Sequence, residues 1–157
     1  MSVSIKLEGV GSVQAVFQEL ADEIGDKKAN SKILIPAVRE AMKPVLAKAR
    51  TDAPVDTGGL KRSLQVEARR PNRKDKRSKY IASTDTVISL VTTAPGKKLA
   101  KLGIKIDARA IAQEFGTARN PAHPYLRAAL ESQSTSVVNN LAGILARRID
   151  KYKKANL

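Results

Sequence analysis

The amino-acid sequence predicts an α+β fold: an N-terminal strand and two helices, a small and mostly antiparallel sheet with a long basic loop, and a long C-terminal helix. Three observations carry this prediction. Apolar residues recur at helical spacing in the first third, two strand-like segments lie in the middle, and a second helical stripe fills the last third. The 157 residues, 42% of them apolar, suffice for one core, so residues 1–157 are predicted to form a single domain.

The first third of the chain predicts a short strand followed by two helices. Alternating apolar residues at 3–7 indicate the strand. The first helix has apolar residues at helical spacing from 13 to 24 and ends at Gly25, a residue suited to the position just past a helix. The second helix begins near Asn30, and Pro44 in its interior predicts a kink or a break.

The middle of the chain predicts two strands joined by a basic loop. Residues 64–68 alternate between apolar and polar side chains, and residues 86–93 are rich in β-branched ones. Between them, residues 69–79 contain no apolar side chain except a proline, which predicts an exposed, mobile loop.

The last third begins with poorly patterned residues and ends in a long helix. Ile104 and Ile106 form a possible short strand, and residues 110–115 are ambiguous between a helical turn and a strand. Prolines then bracket a rigid connection, after which a helical stripe runs from Tyr125 onward. Residues 150–157 are predicted to form a frayed C-terminal tail.

The composition narrows the classes of function. A formal net charge of +14 and a pI of about 10.2 predict attraction to nucleic acid, an anionic membrane or an acidic protein. The absence of cysteine excludes disulfides and thiolate metal sites. No apolar run reaches the length of about 18 residues that a membrane span needs. The first residues lack a secretory signal pattern, so synthesis in the cytosol is expected.

The tripeptide Asp56-Thr57-Gly58 matches the sequence around the catalytic aspartate of aspartic proteases. That chemistry needs two carboxylates that share a proton, each on a turn after an apolar strand. This tripeptide instead follows a predicted helix and a proline, and the chain offers no second copy. The favoured interpretation is structural: Asp56 accepts backbone N–H bonds while Gly58 and Gly59 permit a turn with positive φ.

Other catalytic patterns are equally weak. His123 is the single histidine and lies in the rigid connection, and neither a phosphate-binding loop nor a cluster with metal-ligand spacing is present. The sequence therefore predicts that the chain is not an enzyme and that it has no cofactor and no metal site.

Two stretches, taken together, resemble a known family. The first is APVDTGGLKRS at residues 53–63, and the second is EFGT at 114–117 followed by NPAHPYLRAALE at 120–131. Their order and spacing are similar to those of small neck or tail-completion proteins of long-tailed bacteriophages. This is the tail-component family named after the tenth gene product of the Hong Kong phage. The minor tail protein Z of phage lambda is a functional relative of that family.

The resemblance implies a structural protein of the virion at the head–tail junction, made in the host bacterial cytoplasm. It implies a ring of copies, sixfold by preference, that joins the tail tube to the head-closure proteins around the DNA channel. The expected partners are further copies, other phage neck and tail proteins, and DNA bound without sequence preference; no membrane is expected. The alternatives are a tail terminator protein and a free, non-specific nucleic-acid-binding protein.

Two sets of residues become candidate functional residues under this resemblance. The candidates for subunit contacts or motif turns are Asp56, Thr57, Gly58, Gly59, Glu114, Phe115, Gly116, Thr117, Pro124, Tyr125 and Leu126. The candidates to line a DNA channel are Arg69, Arg70, Arg73, Lys74, Lys76, Arg77 and Lys79, with an ordinary solvated loop as the alternative.

Two of the candidates leave alternatives open. Phe115 is expected either in the core, which is the commoner place for a phenylalanine, or as an interface anchor. Glu114 is expected either to pair with an arginine of its own or a neighbouring subunit, or to be a solvated carboxylate.

Overall fold

The structure, a computed structural model, describes residues 10–55, 58–104 and 109–156. Among these residues the helices and strands are α1 (Val10–Ile24), α2 (Asp26–Ala29), α3 (Ile35–Ala41), α4 (Lys43–Asp52), α5 (Gly59–Ser63), β1 (Leu64–Arg69), β2 (Ile88–Thr93), α6 (Gly96–Lys101), α7 (Arg109–Phe115) and α8 (Leu126–Asn156). A π-helical turn (Asn30–Leu34) precedes α3, and a 3₁₀ turn (Asp75–Arg77) lies between the strands. The strands pair in a two-stranded antiparallel sheet, which confirms the predicted α+β class.

Two predicted strands are not seen among these elements. The strand at residues 3–7 lies outside the described residues, and so does Ile106 of the possible strand near position 105. Ile104 is described and is buried against Ala94 and Leu99. The ambiguous residues 110–115 belong to a helix, α7.

The helix ends in the first third follow the predicted signals. Gly25 has φ 88°, and its N–H donates to the carbonyl of Ala21 at 2.8 Å, a left-handed ending that a residue without Cβ adopts at low cost. The predicted break near Pro44 is also confirmed. It takes the form of a turn at Met42, after which α4 begins with Pro44 in its first turn, where a missing N–H costs nothing.

The chain divides into two compact units. The first takes in Met1–Ala41, Ala68–Leu90 and Thr135–Leu157, and the second takes in Met42–Glu67 and Val91–Ser134. The single-domain organisation therefore stays a prediction.

The first unit is held together by an aliphatic core from α1, the π-helical turn, α3 and the second half of α8. Its buried members are Leu20, Ile33, Ala37, Ala41, Ile144, Leu145 and Ile149. The alanines let the helix backbones approach closely. At the edge of this core the Glu40 carboxylate accepts hydrogen bonds from Arg148 at 2.6 Å and from Arg147 at 3.2 Å, which fixes α3 against α8.

The second unit has its own buried apolar residues and is also joined by backbone contacts. Ala94, Leu99 and Ile104 form a buried cluster around α6. The Arg50 guanidinium of α4 donates to the carbonyl of Leu64 at 2.8 Å, and the N–H of Ala94 donates to the carbonyl of Ser63 at 2.7 Å. These bonds join α4, the start of β1 and the end of β2 into the scaffold that carries the motif turns.

Candidate functional site

Glu114 is a cap for the long C-terminal helix. Its side chain is buried, and its two carboxylate oxygens accept the N–H groups of Leu126 at 2.9 Å and of Arg127 at 3.0 Å. These N–H groups belong to the first turn of α8, where no partner within the helix exists, and the negative charge suits the positive end of the helix dipole. The solvated carboxylate expected for Glu114 is therefore wrong, the pair with an arginine stays a prediction, and the capping of α8 is a role that was not predicted.

The turn after α7 requires glycine at position 116. Gly116 has φ 76°, and a Cβ on it would lie 2.8 Å from the backbone nitrogen of Ala122. The N–H of Gly116 also closes α7 by donating to the carbonyl of Ala112 at 2.8 Å. Gly116 therefore both ends α7 and admits the returning chain at Ala122.

Thr117 and its neighbours tie the connection to α7 through backbone hydrogen bonds. The Thr117 N–H donates to the carbonyl of Asn120 at 2.9 Å, while the Thr117 hydroxyl oxygen accepts the N–H of Asn120 at 3.1 Å. Farther on, the N–H of His123 donates to the carbonyl of Gln113 at 2.7 Å. The predicted rigid connection is therefore held by defined bonds in addition to its two prolines. The histidine contributes its backbone to this network.

Phe115 lies on the surface of the second unit, with 68% of the residue exposed. Ile111, one helical turn earlier on the same side of α7, is 71% exposed. Ala110 and Glu114, which lie about 100° around the helix from Ile111 and Phe115, are buried, so α7 packs on the second unit through a small and a polar residue. The core placement expected for Phe115 is wrong, and an interface anchor is the expectation that agrees with its exposure.

The remaining motif residues have different environments. Pro124 is exposed, Tyr125 is 3% exposed and Leu126 is half-buried, so only the first of them presents a free surface. The Tyr125 carbonyl accepts the N–H of Ala129 at 3.1 Å, which places Tyr125 at the head of α8.

The tripeptide turn is described only in part, because Asp56 and Thr57 lie outside the described residues. Gly58 has φ 72°, as predicted, and its carbonyl accepts the N–H of Arg62 at 3.2 Å. Gly59 is instead the first residue of α5, so a single helical turn separates the tripeptide from β1.

The basic loop contains a compact hydrogen-bonded turn. The Asn72 side-chain oxygen accepts the N–H groups of Lys74 at 2.8 Å and of Asp75 at 3.0 Å. The Asp75 carboxylate accepts the N–H of Asn72 at 2.6 Å and two guanidinium hydrogen bonds from Arg69, at 2.5 and 3.2 Å. The Arg69 guanidinium, followed by the Asn72 N–H, holds the pKa of Asp75 below its ordinary value of 3.8.

This turn divides the seven channel candidates into two groups. Arg69 is half-buried and is engaged by Asp75. The other six side chains are exposed: Arg70, Arg73, Lys74, Lys76, Arg77 and Lys79. Beside them Tyr80 is 82% exposed, with the ammonium of Lys79 at 5.1 Å from its ring centroid. The sequence reasoning did not single out this aromatic, although its position next to a basic run is visible in the sequence.

In the described part of the chain, no group of three or more His, Cys, Asp or Glu side chains is arranged to hold a metal ion. No helix among residues 10–55, 58–104 and 109–156 is both long enough and apolar enough to cross a membrane.

Comparison with known proteins gives one family. A family model described as "Bacteriophage HK97-gp10, putative tail-component" matches residues 15–116. The match covers about two thirds of the chain, from α1 to the glycine that ends α7. Comparisons with curated proteins and with solved structures give no match.

Proposed function

The chain belongs to the HK97-gp10-like family of bacteriophage tail components, and from this premise we propose that it is a structural protein of the head–tail junction. Copies of the chain form a closed ring that joins the tail tube to the head-closure proteins. The family match over residues 15–116 is the observation that carries this proposal. The role rests on shape and contacts, so it requires no catalysis, metal or cofactor.

The exposed residues of the second unit support assembly. A protein that acts alone gains nothing from two large apolar side chains held outward on one short helix, whereas an interface needs such anchors. Ile111 and Phe115 are held on α7, whose end is fixed to α8 through Glu114 and through the turn at Gly116. A preorganised anchor of this kind lowers the ordering cost of association.

The exposed cations of the basic loop support the proposal that this loop lies beside DNA. Six cations in residues 70–79 are exposed, and the contacts that such side chains make with phosphates carry no sequence information. We expect DNA binding that weakens steeply as salt rises. Replacing the six cations by serine removes this binding, while Arg69 and Asp75 are kept so that the turn stays intact. Binding that does not change with salt, or that prefers one DNA sequence, contradicts a channel role.

A free nucleic-acid-binding protein is the second candidate, and the exposed Tyr80 beside the cations favours it. A tail terminator is a further candidate within the same family setting. The location of the chain separates the three: the head–tail junction, the end of an unjoined tail, or no virion at all.

The test of the proposed function removes the chain from the phage that encodes it. We expect filled heads and completed tails to accumulate unjoined, counted by electron microscopy, and purified wild-type chain added to the extract to restore joined particles. Normal joining without the chain overturns the proposal. Tails of irregular length in place of unjoined ones support the terminator. As a check on chemistry, Asp56→Asn is expected to restore joining as well as the wild type does.

A further inference from the structure

The first unit has an apolar groove between α1 and the second half of α8. Its volume is about 190 Å³, and it is lined by Ser12, Val13, Val16, Ala146, Ile149 and Asp150. Ile149, at 1% exposed, belongs to the core, whereas Val16 is 39% exposed. The groove therefore extends from the exposed Val16 at the surface to the buried Ile149 of the core.

The second unit offers a side chain of matching size and chemistry. Phe115 projects from α7 with 68% of its surface exposed. An apolar cavity of about 150 Å³ is large enough to bind benzene, so a phenyl ring is accommodated in the volume of this groove. Ile111, on the same side of α7, lies next to the ring and extends the apolar contact.

The α1 side of the groove and the described surroundings of Phe115 carry opposite charges. The sequence of α1 contains no lysine or arginine, and Glu19 and Glu23 follow Val16 along one side of this helix. The lining of the groove contains one carboxylate, Asp150, and no cation, but Arg147, Lys151 and Lys154 lie beside Asp150 on α8, so the acidic side of the groove is α1. Among the described residues that follow Phe115 up to the first turn of α8, the exposed charges are those of Arg119 and Arg127, while Glu114 beside it is buried.

We propose that Phe115 of one copy inserts into the groove between α1 and α8 of a second copy of this chain. A chain with net charge +14 repels its own copies over most of its surface, so self-association requires a contact that is apolar and that sets the acidic helix against a basic rim. The inserted residue and the groove are different surfaces, which makes the contact heterologous. Heterologous contacts close into rings when the rotation per subunit divides a full turn.

This inference rests on the proposed ring and adds the contact that builds it. It is tested with engineered cysteines, because the natural chain has none and every disulfide formed must involve the introduced thiols. Val16→Cys and Phe115→Cys are placed in separate chains that carry tags of different length. Both chains are supplied, together with wild-type chain that maintains assembly and has no cysteine, to a phage that lacks its own copy, and purified particles are oxidised. A disulfide between the two tagged chains is necessarily a contact between copies.

Two matched controls keep the test specific. Gln14→Cys is exposed on the same helix but points about 160° away from Val16, since successive residues turn by about 100°. Leu102→Cys is exposed in the second unit at 55%. We expect Val16→Cys to link to Phe115→Cys at least tenfold more than Gln14→Cys or Leu102→Cys does in the corresponding mixtures. We also expect Phe115→Ser to lower incorporation into particles at least tenfold while the melting temperature is unchanged.

Three outcomes overturn the inference. The first is efficient linkage of Phe115→Cys to itself, which indicates a symmetric contact, and the second is equal linkage by Gln14→Cys. The third is protection of the Val16→Cys thiol from reagents in the free chain, which means that another part of the same chain fills the groove. A junction ring that lacks the Val16–Phe115 link leaves the proposed function standing and removes the inference. A Val16–Phe115 link in particles where the chain lies outside the head–tail junction supports the inference and removes the proposed function.

Discussion

Two irregular segments of this chain are each organised by one carboxylate. In the connection between α7 and α8, Glu114 accepts two backbone N–H groups of the helix that follows. In the basic loop, Asp75 accepts a backbone N–H and the guanidinium of Arg69. Both segments are rich in turn-forming residues and poor in apolar ones, and in each of them a carboxylate fixes the backbone by accepting its N–H groups.

The two carboxylates differ in their exposure and in what they join. Glu114 is 6% exposed and joins two helices, so its hydrogen bonds are shielded from water. Asp75 is only half-buried, and its partners lie within six residues on the same loop, where salt and solvent weaken the pair. The same chemistry therefore gives a rigid support for Phe115 in one region. In the other it gives a more weakly held turn beside six exposed cations.

The largest effect is expected at Glu114. Glu114→Ala leaves two N–H groups of α8 without their acceptor and is expected to lower the free energy of unfolding by about 2–3 kcal/mol, as for charged hydrogen bonds. Glu131→Ala, an exposed carboxylate on the same helix, is the control and should stay within about 0.5 kcal/mol of the wild type. Urea unfolding measures both. Equal effects of the two substitutions would contradict the capping role.

A somewhat smaller effect is expected at Gly116. Gly116→Ala combines a left-handed φ of 76° with a Cβ 2.8 Å from the Ala122 nitrogen, and it is expected to cost about 1–3 kcal/mol. Gly103→Ala, with φ 67° and no atom within 4 Å of the added Cβ, isolates the backbone part of this cost. Gly143→Ala lies inside α8 with open space around it and should stabilise the chain by up to about 1 kcal/mol. If Gly116→Ala leaves the free energy of unfolding unchanged, the backbone at Ala122 can shift to admit the Cβ, and glycine is not required at position 116.

The smallest effect is expected at Asp75 and appears as a pH dependence. The folded pKa of this carboxyl is lowered by Arg69 and the Asn72 N–H, so its contribution is present above the ordinary value of 3.8 and is lost as pH falls through the lower folded value. Carbon-detected NMR of the carboxyl should give a midpoint below 3.8, and Arg69→Gln should raise that midpoint. Arg77→Gln, an exposed cation of the same loop, should leave it unchanged; an equal shift would mean that the loop has no specific pair.

Regular elements with local signals were predictable from the sequence. The glycine ending of α1, the break beside Pro44 and the start of the long helix near Tyr125 each depend on residues within one turn. The loop turn also had a local signal that was missed, since Asn72 and Asp75 have the three-residue spacing of a capping pair.

The roles of Glu114 and Phe115 had no such local signal. The N–H groups that Glu114 caps lie 12 and 13 residues farther along the chain, and only the tertiary path of the connection brings them together. Because Glu114 and Ala110 occupy the inner side of α7, Phe115 is left outside, against the usual preference of phenylalanine for burial.

The most direct test of this account is a reconstruction of the particle that contains the chain. We expect a closed ring of copies at the head–tail junction, with Phe115 of each copy in the groove between α1 and α8 of the next. The cations of residues 70–79 should face the central channel, and the loop should be better ordered than in the free subunit. A single copy of the chain, a location outside the neck and tail, or a ring in which the basic loops face outward into solvent would contradict the account.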